Sequence, residues 1–210
     1  CDEAHKLPEI VQNMFSPRID MDETVGIDEM IRYASLNDID TPNRKHFEDV
    51  FKLMKLTMEK DYSSEAQRSK DMFICLKRYK KFYDDLSIAY DDLKDKLEKN
   101  QRRKGIDLNA FMKAGTVFSQ EHLVLREYIN LIEELGTVWS IPSKLNEHTI
   151  VYNCSKEAQM VDTFFHKRTD CEFLMSATIG NLDNFRTMIA SDDDENFSAS
   201  EADNGFDFSR

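Results

Sequence analysis

Glycine and proline are both scarce in this chain. Its 210 residues include six glycines and four prolines. An all-β domain of this length would need many tight turns, and such turns usually consume more of both residues. Phosphate-cradling loops and dinucleotide-binding fingerprints are excluded as well, because both depend on clustered glycines. The composition therefore favours an all-α chain that lacks a nucleotide-binding loop.

Long apolar runs and an excess of basic residues are also missing. No run approaches the roughly 18 apolar residues of a membrane-spanning helix, so we predict no membrane span. The formal net charge is −12. Nucleic acid is not a predicted partner, because phosphate contacts require a basic face. The last twenty residues contain seven acidic side chains against one arginine, so they account for half of the net charge.

Motifs for catalysis and metal binding are absent too. The sequence has no GxSxG motif, and none of its cysteines lies in a nucleophile signature. Its five histidines are scattered, without the HExxH or ExxH spacing of metal sites. One acidic stretch begins like a calcium loop at Asp20, but Val25 stands where glycine is needed and Ile31 where a carboxylate is needed. We predict neither an enzyme nor a cofactor nor a metal site.

Four cysteines are present, namely Cys1, Cys75, Cys154 and Cys171. The even number and the lack of CxxC spacing are compatible with two disulfides in an oxidising compartment. Three connectivities exist, and the most local loop favours Cys154–Cys171. The sequons at Asn153 and Asn196 also fit a secreted chain. We predict an extracellular, disulfide-bonded protein, with buried thiols in a cytoplasmic protein as the alternative.

A long amphipathic stretch dominates the middle of the chain. Apolar or aromatic residues recur there in alternating steps of four and three, which is a heptad pattern. Ser64 and Gln67 form a capping box before it, and Gly105 follows its basic end. The pattern predicts one helix over about 64–102. We call its apolar stripe the seam, which comprises Met72, Leu76, Tyr79, Tyr83, Leu86, Tyr90, Leu93 and Leu97.

Shorter amphipathic stretches flank this helix on both sides. Caps and apolar spacing predict helices from 42 to about 60, from 107 to about 115 and from 119 to Gly136. The stretch 137–153 is the least helical, and we expect a packed connection there; a short extended piece from His148 is the alternative. The predicted fold is all-α: a single-domain multi-helix bundle over 1–190, built around the long helix.

The remaining residues, 191–210, form an acidic stretch that we predict to be a disordered tail. Ser191, Ser198 and Ser200 are each followed three positions later by an acidic residue. This spacing resembles the sites of acidophilic kinases of the casein-kinase-2 type, so phosphorylation would add to the existing negative charge. The simpler interpretation is a tail that only keeps the protein soluble.

The seam contains three tyrosines: Tyr79, Tyr83 and Tyr90. Such wide residues do not suit a parallel two-stranded coiled coil, so we expect the seam to pack within the chain and the protein to be a monomer. Two interpretations remain open. The tyrosines are wide core residues with their hydroxyls at the edge, or they line a cavity for a small hydrophobic or aromatic ligand.

The functional hypothesis follows from these features. We predict a secreted, non-catalytic helical binding protein whose partner is such a ligand or the surface of another protein. The candidate binding residues are Tyr79, Tyr83 and Tyr90 of the seam, and Trp139 in the least helical stretch. The alternative is an intracellular helical adaptor with a phosphorylatable tail.

Overall fold

The computed structural model describes residues 6–22, 24–99 and 108–164, together with residues 186 and 189. The predicted mostly helical class is confirmed. The described residues contain six α-helices, one 3-10 turn and three short strands, and the strands are the departure from an all-α fold. In chain order the elements are α1 (Leu7–Phe15), β1 (Arg18–Asp20), α2 (Val25–Leu36), α3 (Arg44–Glu59), α4 (Glu65–Lys99), α5 (Leu108–Leu135), the 3-10 turn (Thr137–Trp139), β2 (Ser140–Asn146), β3 (Thr149–Cys154) and α6 (Glu157–Phe164).

The described residues divide into two compact units. The larger one, Phe15–Ser155, holds the three strands, the 3-10 turn and helices α2 to α5. The smaller one includes residues 6–14 and 156–164, with Leu7, Val11, Met160, Val161 and Phe164 buried. The predicted domain over 1–190 stays a prediction. The predicted tail, 191–210, lies outside the described residues.

Helix α4 is the long helix that the heptad pattern predicts. The Ser64 hydroxyl accepts the backbone N–H of Gln67 at 3.3 Å, as expected for the predicted cap. The helix packs against α2, α3, α5 and β2. These contacts bury Met72, Leu76, Tyr79, Tyr83, Leu86 and Leu93 of the seam. Each buried side chain of this size stabilises the fold by about 1.5–3 kcal/mol, so the seam contributes much of the core of the larger unit.

Helix α5 joins two segments that the sequence suggested were separate helices. Gly115 lies inside this helix instead of ending the first segment. A Cβ atom at Gly115 would lie 2.6 Å from the ring of Tyr90, so glycine is needed there for close packing of α5 on α4. The predicted end at Gly136 is confirmed: its N–H donates to the Ile132 carbonyl at 2.8 Å, and its φ of +105° favours glycine.

The strands form one antiparallel sheet in the order β1–β3–β2. The expectation of a packed connection over 137–153 is therefore wrong, and the alternative of an extended piece from His148 is close to β3. Ile150, Tyr152 and Cys154 alternate along β3 and are all buried. This period-two pattern is the signal for a half-buried strand, although six residues are too few for it to stand out in the sequence. The Tyr152 hydroxyl donates to the Met72 carbonyl at 3.1 Å and so links the sheet to α4.

None of the helices in the described part of the chain combines the length and the apolar character needed to cross a bilayer.

Candidate functional site

The tyrosines of the seam lie at the junction of α4 with α3 and α5. The side chain of Tyr79 is buried, with its ring centroid 5.4 Å from that of Phe47 on α3 and 5.1 Å from that of Tyr83. Its hydroxyl donates to the hydroxyl of Tyr83 at 3.2 Å. Burial raises the pKa of Tyr79 far above its ordinary value, so the phenol stays neutral at physiological pH.

Tyr83 continues this hydrogen-bond chain toward the surface. Its hydroxyl donates to Glu121 Oε2 at 2.7 Å, so the chain runs from Tyr79 on α4 to a carboxylate on α5. The Tyr83 ring stacks on that of Phe118, with the centroids 5.2 Å apart and the planes at 5°. Burial also raises the pKa of Tyr83 well above its ordinary value. The hydroxyls of Tyr79 and Tyr83 are therefore neutral and donate their hydrogen bonds to groups of the same chain.

Tyr90, the third tyrosine of the seam, is half-buried one step further along α4. Its ring stacks on that of Phe111, with the centroids 5.3 Å apart, and its centroid is 6.4 Å from that of Phe118. It also covers the backbone of α5 at Gly115. The structure therefore joins all three tyrosines to one aromatic cluster, to which α5 contributes Phe111 and Phe118.

A polar group borders the aromatic cluster on the same two helices. Asp84 on α4 accepts hydrogen bonds from Lys80 Nζ at 2.8 Å and from His122 Nε2 at 2.8 Å. Partial burial opposes ionisation of Asp84, but the hydrogen bonds from Lys80 and His122 outweigh it and lower its pKa. Asp84 is therefore an ionised link between α4 and α5.

A histidine held by a carboxylate resembles half of a proton-transfer unit. The other half would be a hydroxyl or thiol on the histidine ring. Among the described residues, no such group forms a hydrogen bond to His122. The imidazole instead lies beside the rings of Tyr83 and Phe118, with centroid distances of 6.0 Å and 5.9 Å. No metal centre accompanies the pair either, because in the described ranges no three His, Cys, Asp or Glu side chains converge. What the described contacts of His122 and Asp84 do is connect α4 to α5.

Two of the four cysteines can be placed. Cys75 on α4 and Cys154 on β3 are buried thiols, and no disulfide links them. Cys75 packs beside Thr57, whose Oγ1 is 3.6 Å from its Sγ, and burial raises its pKa. The structure thus gives no support to the predicted pair of disulfides. Cys1 and Cys171 lie outside the described residues.

Trp139 belongs to a different feature, which we call the apolar stretch and define as residues 138–145. Four large apolar side chains in this stretch are exposed: Val138 by 52%, Trp139 by 36%, Ile141 by 50% and Leu145 by 63%. They lie on the 3-10 turn and on β2, which is an edge strand of the sheet. Trp139 was predicted as a site residue, but Val138, Ile141 and Leu145 were not. No apolar alternation indicates them, because the polar residues Ser143 and Lys144 stand between Ile141 and Leu145.

The structure therefore gathers three of the four predicted binding residues in the aromatic cluster and places Trp139 elsewhere. Tyr79 and Tyr83 lie in the core of the larger unit, Tyr90 lies at the edge of that core, and Trp139 lies on the 3-10 turn. The α5 residues that contact these tyrosines were missed, above all Phe118 in the aromatic cluster and Glu121 at the end of the hydrogen-bond chain. Nothing in a single sequence indicates which faces of two helices will meet.

The chain matches no protein-family model, no curated protein and no solved structure. A function therefore has to be inferred from the surfaces and clusters described above.

Proposed function

We propose that this protein is a non-catalytic helical adaptor that binds a partner protein through the apolar stretch. The observation that carries the proposal is the exposure of four large apolar side chains within eight consecutive residues. Single exposed apolar residues are normal on any protein surface, whereas clustered ones mark interaction sites. The fully buried core of an interface is more apolar than the rest of the surface, and tryptophan is among the residues enriched there.

The backbone beneath the apolar stretch is well supported, which favours binding. Trp139 accepts the N–H of Ser155 at 3.0 Å through its carbonyl and donates its own N–H to Gly136 at 3.2 Å. The Tyr128 hydroxyl lies 3.0 Å from Ser140 Oγ and donates to the Asn153 carbonyl at 2.9 Å. A surface held in this way loses little conformational entropy when a partner docks, so more of the contact energy appears as affinity.

The alternative site, a ligand cavity along the tyrosine seam, has less support. The rings of Tyr79 and Tyr83 pack on other aromatic rings of the chain, and their hydroxyls form the hydrogen-bond chain to Glu121. A ligand would have to displace contacts that already satisfy these groups. The tyrosines are better interpreted as wide core residues, and ligand binding by them stays a prediction.

The buried thiols at Cys75 and Cys154 support the cytoplasmic alternative over secretion. Thiol titration of the protein from its natural source, denatured without reductant, tests this assignment. We expect four reactive thiols per chain. Two disulfides would overturn the cytoplasmic assignment and restore the secreted one, while leaving the apolar stretch as the binding surface.

Crosslinking tests the binding surface directly. A photoreactive amino acid at position 141 should capture one partner, which mass spectrometry then identifies and which is purified for affinity measurements. We expect Ile141→Asp to weaken binding at least about tenfold, as the loss of an interface anchor does. Ile88→Asp is the matched control, because Ile88 is an isoleucine on α4, outside the apolar stretch, that is even more exposed, at 65%. Equal effects of the two substitutions, or none from either, would refute the proposal.

A further inference from the structure

Resting on the proposed function, we infer that the occupant of the apolar stretch is the uncharged apolar face of a helix in a partner protein. The partner helix would pack side chain against side chain and would add no strand to the sheet. An exposed edge strand normally invites the opposite mode, in which a partner pairs with the free backbone groups. The hydrogen bonding of β2 closes that route.

The direction of the Tyr152 backbone identifies which groups of β2 face the free edge. Its N–H donates to the Pro17 carbonyl at 3.0 Å, so at this position the β3 backbone points toward β1 and away from β2. Pro142 is the residue of β2 opposite Tyr152. In an antiparallel pair the two residues of such a non-bonded position both point outward, so the nitrogen of Pro142 faces the free edge. Proline has no N–H to offer there.

The neighbouring positions on this edge are also poor partners for a strand. The N–H of Ser140 is donated to the Thr137 carbonyl. Lys144 is the next outward-facing residue, and the register shift at Leu145 follows it directly. A charged residue and a bulge are both features that prevent strand addition. Of the three outward-facing residues only Lys144 keeps a free N–H, so an occupant finds too few backbone donors for a strand ladder and must satisfy its own carbonyls, as a helix does.

The charges beside the apolar stretch are paired among themselves. Glu147 accepts hydrogen bonds from Lys144 and from Lys55 on α3, the second at 2.8 Å. The hydrogen bond from Lys144 has the larger effect, and together the two lower the pKa of Glu147 to about 2, so this carboxylate stays ionised. On the far strand, Arg18 pairs with Asp20 at 2.9 Å. A third carboxylate, that of Asp22, lies 3.6 Å from His148 in the turn between β2 and β3. The three basic side chains Lys55, Lys144 and Arg18 are thus balanced by three carboxylates, so the complementary surface is apolar and uncharged, and an anionic membrane would find no basic excess.

Selection from two displayed libraries tests this inference on the full chain. One library randomises a single face of a stable helical hairpin, and the other displays unstructured peptides of equal diversity. We expect the selected binders to come from the helical library and to carry, on the randomised face, apolar residues spaced three and four positions apart. Their affinity should fall at least about tenfold with Ile141→Asp and stay within about twofold with Ile88→Asp. Circular dichroism establishes that both variants are folded.

A substitution on the edge separates the two modes of recognition. Pro142→Ala restores an N–H to the free edge, so a partner that pairs as a strand should bind more tightly, whereas a helical partner should bind as before. Binders drawn only from the unstructured library, or tightened by Pro142→Ala, would overturn the helix and leave the proposed function intact. Binders insensitive to Ile141→Asp would overturn both. Analytical ultracentrifugation could instead show a dimer that Ile141→Asp dissociates. The occupant of the apolar stretch would then be a second copy of this chain and not a partner helix.

Discussion

The hydroxyl of Tyr83 is a group whose contribution to stability a single substitution can measure. It accepts from Tyr79 and donates to Glu121, so Tyr83→Phe removes two hydrogen bonds at once. The Tyr79 hydroxyl then remains buried without that acceptor. We expect the free energy of unfolding to fall by about 1–3 kcal/mol, measured by urea denaturation.

Tyr90→Phe is the matched control, since no hydrogen bond to its hydroxyl is found among the described residues and its ring would remain on Phe111. Its effect should stay within about 0.5 kcal/mol. Equal losses from the two substitutions would contradict the hydrogen-bond chain. Neither Tyr83→Phe nor Tyr90→Phe should weaken the binding of a partner to the apolar stretch. If the seam instead formed a ligand cavity, these substitutions would weaken binding of the ligand.

Gly115 gives a second prediction at this scale. Alanine in the middle of a helix is usually more stable than glycine by about 0.5–1 kcal/mol. At Gly115 the added Cβ would lie 2.6 Å from the ring of Tyr90, so the ring must shift, which disturbs its stacking on Phe111. We expect Gly115→Ala to destabilise the protein by about 1 kcal/mol, because an overpacking cost of about 2 kcal/mol exceeds the gain in helix propensity.

The same substitution should stabilise a Tyr90→Ala background, because the obstructing ring is then absent. A double-mutant cycle from thermal or urea unfolding measures this reversal of sign. If Gly115→Ala has the same effect in both backgrounds, close packing of Tyr90 on α5 is wrong.

Among the elements, the junction of α4 and α5 depends on pH through Asp84. The pKa of Asp84 is lower in the folded chain than its ordinary value of 3.8. Its contribution to stability is therefore present above the unfolded-state pKa and is lost as the pH falls through the folded-state pKa. We expect Asp84→Asn to remove part of the acid destabilisation seen below about pH 4, the ordinary range of an aspartate.

The size of this effect is limited by solvent. The Asp84 side chain is 43% exposed, so the contribution should not exceed about 1 kcal/mol. Asp85→Asn serves as the control, because Asp85 pairs with Lys81 on the same helix and does not join α4 to α5. Stability curves between neutral pH and pH 3 that coincide for both variants would rule out the proposed role of Asp84.

The elements also differ in how far the sequence predicts them. Helix α4 follows from its heptad spacing and its cap, because both signals are local and extend over many turns. The sheet does not, since β1 has three residues and its pairing with β3 joins positions about 130 residues apart. The continuity of α5 through Gly115 depends on a ring from another helix. Likewise, the exposure of Ile141 depends on which face of β2 meets the core, and no local pattern fixes this.

At the scale of the whole molecule, hydrogen bonds from buried tyrosines connect the sheet to the helices. Tyr152 is fully buried and donates its hydroxyl to the Met72 carbonyl on α4 at 3.1 Å, while Tyr128 on α5 holds the Asn153 carbonyl at 2.9 Å. These contacts predict that the unit Phe15–Ser155 unfolds as one. Its sole tryptophan, Trp139, reports on the 3-10 turn beside β2, and far-ultraviolet circular dichroism reports mainly on the helices.

We therefore expect the fluorescence of Trp139 and the helical signal to show the same urea midpoint. Tyr152→Phe should lower both midpoints together, because it removes a buried hydrogen bond worth about 0.5–1.5 kcal/mol, although the Met72 carbonyl keeps its bond within α4. Val151→Ala on the same strand offers a comparison, because Val151 faces away from that contact and is half-buried. If Tyr152→Phe shifts only the fluorescence transition, the sheet unfolds independently of α4. The apolar stretch would then rest on a mobile hairpin, and the entropy lost on docking would weaken the binding that we propose.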